Sequence, residues 1–99
     1  MMSDATETNA TETSSALVTI YSTQSCPYCV RAKMLLTRKG VAYHEIDLSR
    51  EPAEVRLELM QRTKQRTVPQ IFIRDVFVGG FDQLYALEQR GELDTMLAG

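Results

Sequence analysis

The chain's only cysteines, Cys26 and Cys29, stand within the tetrapeptide Cys26-Pro27-Tyr28-Cys29. Two thiols at that spacing can exchange with disulfides or contribute to a metal shell. A bridge that closes so short a loop restricts the unfolded chain little, so stability is a poor reason for the pair. Two thiolates supply only half of a tetrahedral zinc shell, and the single His44 falls in a predicted strand with no paired ligand motif. Thiol exchange requires a thiolate, and a thiolate near neutral pH requires something that stabilises negative charge. An unreactive pair of small core thiols is the plain alternative.

Ordered elements must hold such a pair. Ala16–Tyr21 is a β-branched and apolar run stopped by the polar Ser22–Ser25, which predicts a buried strand entering a loop. From Pro27 to Lys39 the period changes: Tyr28, Ala32, Leu35 and Leu36 recur at helical spacing, with Arg31, Lys33, Thr37 and Arg38 off that arc. Pro27 suits the first helical position and Gly40 the C′ position. Cys26 therefore falls at a helix start, where unpaired N–H groups and the positive end of the macrodipole favour the thiolate and draw its pKa below that of a free thiol. Cys29, one turn further in on the Tyr28/Ala32 side, is expected to be more covered, which suits a resolving thiol.

Val41–Leu48 predicts a second strand, and Pro52–Arg62 a second helix through Val55, Leu59 and Met60. Gln70–Ile73 and Val76–Val78 read as paired strands across an Arg74-Asp75 turn. A third helix runs from Asp82 through Leu84, Tyr85 and Leu87 to near Gly91, and a last turn or two with Leu93, Met96 and Leu97 covers the sheet. The order β-α-β-α-β-β-α-α predicts an α/β sandwich: a small mixed sheet with helices on both faces.

Ninety-nine residues with 43% apolar content and no Trp allow one modest core. The formal charge of −2 hides a split, because Asp4, Glu7 and Glu12 lie in the first fifteen residues, which contain no base. Residues 16–99 keep 11 bases against 10 acids, too even for a nucleic-acid footprint or a polybasic membrane patch. Residues 1–15 carry seven Ser or Thr and no Val, Ile, Leu or aromatic residue, which predicts a disordered polar tail before a domain over residues 16–99. The tail lacks signal-peptide and transit-peptide patterning, and no apolar run is long enough to span a bilayer, so the cytoplasm is the expected address. Asn9-Ala10-Thr11 fits a glycosylation sequon without the secretory context it needs. Internal repeats, heptads and G-x-G-x-x-G are absent from the sequence.

Cys26-Pro27-Tyr28-Cys29, Thr67-Val68-Pro69 and Gly79-Gly80-Phe81-Asp82, in this order and spacing, resemble the motifs of dithiol glutaredoxins, and the resemblance covers residues 17–98. A C-x-x-C beside a βαβ pattern points the same way. The resemblance implies a thioredoxin-like three-layer sandwich built on a four-stranded sheet. The activity it implies is glutathione-dependent reduction of protein–glutathione mixed disulfides and protein disulfides, with Cys26 as nucleophile and Cys29 as resolving thiol. Glutathione is then a co-substrate, with no tightly bound cofactor and no metal, and the partners are disulfide-bonded or glutathionylated proteins. Glutathione reductase recharges the cycle indirectly, nucleic acid and membrane take no part, a monomer is expected, and the potential lies at roughly −200 to −230 mV.

The resemblance also implies a ligand site. A cis Val68–Pro69 bond facing the dithiol would offer the Val68 backbone to the glutathione cysteinyl as if to another strand. Thr67 stands beside it. Gly80 admits a close backbone approach, the N–H groups of Phe81 and Asp82 suit the γ-glutamyl carboxylate, and the Asp82 carboxylate suits the α-ammonium. Tyr28 stacks beside the tripeptide, and Arg56, eleven residues before Thr67, points to the glycine carboxylate. Gln65 and Arg66 have weaker support at the same end. Simpler readings exist for each: Pro69 as the start of an edge strand, Gly79-Gly80 as a turn, Asp82 as an N-cap, Arg56 as a solvated helix residue, Tyr28 as a packing ring.

One departure bears on function. The family usually has Lys three residues before the first Cys, on the glycine carboxylate; here Thr23 stands there, which leaves Arg56 to carry that contact nearly alone. Thr23 leaves room for a glutaredoxin-like redoxin recycled by thioredoxin reductase. A second rival, a module that holds an iron–sulfur cluster between two chains with glutathione, is disfavoured by Pro27-Tyr28.

Overall fold

Four strands and four helices follow one another in the predicted order in the computed structural model, which describes residues 17–98. They are β1 (Val18–Ser22), α1 (Pro27–Arg38), β2 (Tyr43–Asp47), α2 (Ala53–Thr63), β3 (Gln70–Ile73), β4 (Val76–Gly79), α3 (Phe81–Gln89) and α4 (Glu92–Ala98). The tail expected over residues 1–15 lies outside the described residues. The sheet order is β2-β1-β3-β4, with β1 and β2 parallel and the other two pairs antiparallel.

Alternation along the central strands sorts side chains to two faces. Val18, Ile20, Ile71 and Ile73 pack with Ala32, Leu35 and Leu36 of α1, Leu84 of α3 and Leu93 of α4. Phe72 faces the other way, onto Leu59 of α2 and Leu48. These two clusters make the three layers, and they bury β3 on both sides along its whole length. Lys39, the C-cap of α1, ties this helix to α3 and α4 through Glu88 at 2.9 Å and Asp94 at 2.7 Å, and those hydrogen bonds raise the ammonium's pKa.

Several boundaries shift. Pro52 caps α2 from outside it, and Asp47 accepts the Ser49 N–H at 2.9 Å to open a single 3₁₀ turn, Leu48–Arg50, that shortens β2. The Arg74-Asp75 turn has φ of 53° and 69°, the paired left-handed conformations of a two-residue hairpin whose twist matches its strands. Tyr28 does not belong to the buried arc of α1: it is 53% exposed, and Cys29 takes its place among the buried residues.

Strand polarity and register bring the three motifs together. β1 ends at Ser22, antiparallel β3 begins with Gln70 opposite Tyr21, and antiparallel β4 ends with Gly79 opposite Ile71. The loop to Cys26, the Val68–Pro69 bond and the start of α3 therefore emerge at one end of the sheet.

Behind the cysteine loop, Glu45 Oε2 accepts from the buried Ser22 hydroxyl at 2.7 Å and from Lys33 Nζ at 2.8 Å, joining β1, β2 and α1. Burial pushes the Glu45 pKa up, but the hydrogen bonds from Lys33 and Ser22 outweigh it, so the carboxyl sits below its ordinary value; the hydrogen bond to Glu45 raises Lys33. A lowered carboxyl pKa adds stability above the unfolded value, and that stability is lost as pH falls through the folded value. The pair is about one-third exposed, so screening limits the effect. Glu45→Gln keeps an acceptor for Ser22 and removes the charge. It is expected to cost on the order of 1 kcal/mol at pH 7, and the difference from wild type should close once both proteins are melted well below the ordinary carboxyl pKa.

Candidate active site

Cys26 is the N-cap of α1, with extended backbone (φ −129°, ψ 99°) and Pro27 following it. Its Sγ accepts the backbone N–H of Cys29 at 3.1 Å, as a capping oxygen would. No acidic residue occupies the first turn of α1, so the positive end of the helix is left to the sulfur. The Val68 carbonyl oxygen lies 3.8 Å from the same sulfur. The two cysteines form a disulfide, with Cα atoms 5.2 Å apart. Cys29 is 1% exposed while Cys26 is partly exposed, the asymmetry expected of an attacking and a resolving sulfur.

Next to this pair lies an open cleft of about 470 Å³. One wall is the loop after α2, contributing Gln65, Thr67, Val68 and Pro69; the other is the start of α3, contributing Gly80, Phe81, Asp82 and Gln83; Tyr28 closes the end toward α1. The Val68–Pro69 bond is cis. Gly80 is the N-cap of α3, and a Cβ there would come 3.4 Å from the Pro69 carbonyl oxygen, so the two walls meet at this glycine. Gly79 has φ of 123°, and a Cβ on it would meet the Gln83 side chain at 2.9 Å. Phe81 and Asp82 occupy the first two helical positions, and their N–H groups have no intrahelical partner. That corrects the simpler reading of Asp82 as N-cap: it is an exposed carboxylate in the first turn, beside the cleft.

Eight of the residues anticipated for the ligand, Tyr28, Gln65, Thr67, Val68, Pro69, Gly80, Phe81 and Asp82, thus line one cleft. Arg56 does not join them; it is a half-buried residue of α2 outside the lining, and the exposed Arg66 is outside it too. His44 is an exposed strand residue, and among the described residues no group of three His, Cys, Asp or Glu could hold a metal. Two glutamines were not anticipated. Gln83 Oε1 accepts the Gly80 N–H at 2.8 Å, a role legible in its place three residues after the N-cap. Gln70 is buried and bonds the loop that forms the first wall.

An aromatic row continues from the cleft. Phe81 lies 6.3 Å from Tyr28 and 5.7 Å from Tyr85, and the Arg31 guanidinium sits 5.2 Å from the Tyr28 ring centroid. Among the described residues, no helix is long and apolar enough to cross a membrane.

Comparison with known proteins agrees with this geometry. Residues 18–78 match the glutaredoxin family model. A glutaredoxin of Pseudomonas aeruginosa is 52% identical over 81 residues, which cover 82% of this chain and 95% of that protein. Glutaredoxin 3 of Escherichia coli K12 is 49% identical over 82 residues, covering 83% and 98%. Among solved structures, a buckwheat glutaredoxin–glutathione complex superposes with a TM-score of 0.81 at 35% identity, covering 85% of this chain and 78% of the other. The solution structure of glutaredoxin from Brucella melitensis gives 0.73 at 54% identity, covering 83% and 88%. With its cysteine pair at a helix start and its thioredoxin-like sheet, the chain belongs to the glutaredoxin family of thiol–disulfide oxidoreductases.

Proposed function

We propose that this oxidoreductase uses glutathione, reducing protein–glutathione mixed disulfides and protein disulfides as a monomer in the reducing cytoplasm. The observation that carries the reading is the cleft beside Cys26, whose walls pair the backbone of a strand-like loop with the N–H groups of a helix start. A glutathionyl group bonded through sulfur to Cys26 would lay its cysteinyl backbone along Val68 and its γ-glutamyl carboxylate on the Phe81 and Asp82 N–H groups. The Asp82 carboxylate would take the α-ammonium, Tyr28 would flank the peptide beside Thr67, Pro69 and Gly80, and Arg56 would serve the glycine carboxylate from longer range. The glutathione complex of the buckwheat relative supports this assignment.

The exchange runs in two steps. The Cys26 thiolate attacks the glutathione sulfur of a mixed disulfide, forming the Cys26–glutathione bond and expelling the target thiolate, which takes a proton from water. A second glutathione thiolate then attacks the bound glutathione sulfur, releasing glutathione disulfide and restoring Cys26. With a protein disulfide, Cys26 attacks one target sulfur and expels the other as a thiolate; Cys29 then attacks Cys26, closing the 26–29 disulfide and releasing the second target thiolate, and two glutathione molecules reopen the bridge and leave as glutathione disulfide. The chemistry calls for no metal or tightly bound cofactor.

Turnover of a small glutathione mixed disulfide, coupled to NADPH through glutathione reductase, tests this directly. The expected result is a rate that rises with glutathione and needs the enzyme. Turnover supported by thioredoxin reductase and not by glutathione would overturn it in favour of the rival that Thr23 suggests.

A further inference from the structure

Gln70 is 1% exposed and lies on the face of the sheet that meets α2, because it alternates with Phe72 while Ile71 and Ile73 point to the other side. The buried residues clustered on that face, Leu48, Leu59 and Phe72, are apolar. A carboxamide in such a place costs desolvation unless its polar atoms are bonded, and here only half are. Nε2 donates to the Gln65 carbonyl at 2.9 Å and to the Thr67 carbonyl at 3.1 Å, whereas Oε1 finds no partner among the described residues. An apolar side chain of similar size would fill the space without the orphaned oxygen. What the amide alone supplies is a pair of inward bonds to alternate carbonyls of one loop.

That loop leaves α2 through Lys64, in the left-handed region with φ of 63°, and reaches β3 at Gln70. Gln65, Thr67 and Val68 form the cleft wall that faces Cys26. With the carbonyls of Gln65 and Thr67 turned into the core, the Gln65–Arg66 and Thr67–Val68 peptide planes are fixed. A second tie holds the same loop from α2, where Thr63 Oγ1 accepts the Gln65 N–H at 3.2 Å.

We propose that Gln70 is a positioning residue for the glutathionyl group: it acts through the Gln65–Val68 loop, setting the wall against which the bound peptide lies, and touches no reacting atom itself. This rests on the glutathione reading above. Because the N-cap of α1 is not involved, the Cys29 N–H keeps its bond to the Cys26 sulfur, and the main effect should fall on binding.

The experiment uses the full chain with Gln70→Met and, as a milder lesion of the same loop, Thr63→Val. For Gln70→Met, KM for a small glutathione mixed disulfide is expected to rise about tenfold with kcat changed less than about twofold, and for Thr63→Val about threefold in the same sense. Amide hydrogen exchange of the reduced proteins without glutathione should accelerate at residues 66–68 and stay unchanged in β1 and α1. A lowered melting temperature with KM and loop exchange unchanged would overturn the proposal, leaving Gln70 a purely structural residue. Should Gln70→Met fail to fold, an unchanged KM in Thr63→Val would overturn it as well. A wild-type protein inactive with glutathione would defeat the functional reading instead, while the exchange comparison, run without ligand, would still report on the loop.

Discussion

Cys26→Ser is expected to remove activity on mixed disulfides and on protein disulfides alike, by on the order of 10³-fold or more, while leaving the melting temperature within a few degrees of wild type. The two halves of this expectation come from the same geometry. Serine is among the best N-cap residues, so the Cys29 N–H that now meets Sγ at 3.1 Å would find an oxygen, and α1 keeps its start. The chemistry has no such substitute, because a hydroxyl neither ionises near neutral pH nor exchanges with disulfide sulfur. Cys29 cannot take over, since it is 1% exposed and one turn inside the helix. Rates measured in both assays, with a thermal melt of each protein, check the prediction. Substantial mixed-disulfide turnover in the folded variant would reassign the nucleophile.

Why the sequence announced this so clearly, and other features less so, comes down to the range of the forces involved. The start of α1 is local: Pro27 fits the first turn, Gly40 takes φ of 71° just past Lys39, and neither depends on the rest of the chain. β3 is legible because four successive apolar or long side chains between turn signals suit a strand covered on both faces. Tyr28 shows where periodicity misleads. Its place on the apolar arc is correct as spacing, yet β3 and α3 arrive so that this end of the arc is a cleft and not a core.

The site as a whole is a product of register. Nothing near Cys26 indicates that Pro69 and Gly80 will be its neighbours; that follows from Tyr21 pairing with Gln70 and Ile71 with Gly79. The motif order of a known family supplied what local physics could not, and eight of the ten ligand residues it suggested, Gln65 among them, line the cleft. Arg56, on α2, stands outside that lining, its place set by how the helix sits over Leu59 and Phe72. Gln70 was open to notice as a lone amide in an apolar strand, but its partners are backbone carbonyls of a loop, which carry no signature in residue type.

Cys29→Ser should separate the two reactions that Cys26→Ser abolishes together. Mixed-disulfide turnover needs only the attacking sulfur and a second glutathione, so it should stay within about threefold of wild type. Reduction of a protein disulfide passes through a target–Cys26 intermediate, and there the second cysteine has a large advantage. Its Cα lies 5.2 Å from that of Cys26 on one rigid helix turn, so its attack is intramolecular, whereas free glutathione must diffuse in at millimolar concentration. Losing that advantage should slow protein-disulfide reduction by roughly a hundredfold or more and let the mixed disulfide accumulate, visible by mass as a covalent adduct through Cys26. The buried hydroxyl would cost stability of about 1–3 kcal/mol, so the variant must be assayed below its own melting transition. Equal loss in both reactions by a folded variant would mean that Cys29 takes part in the first attack. Undiminished protein-disulfide reduction would mean that the second sulfur is dispensable and that glutathione resolves the target directly.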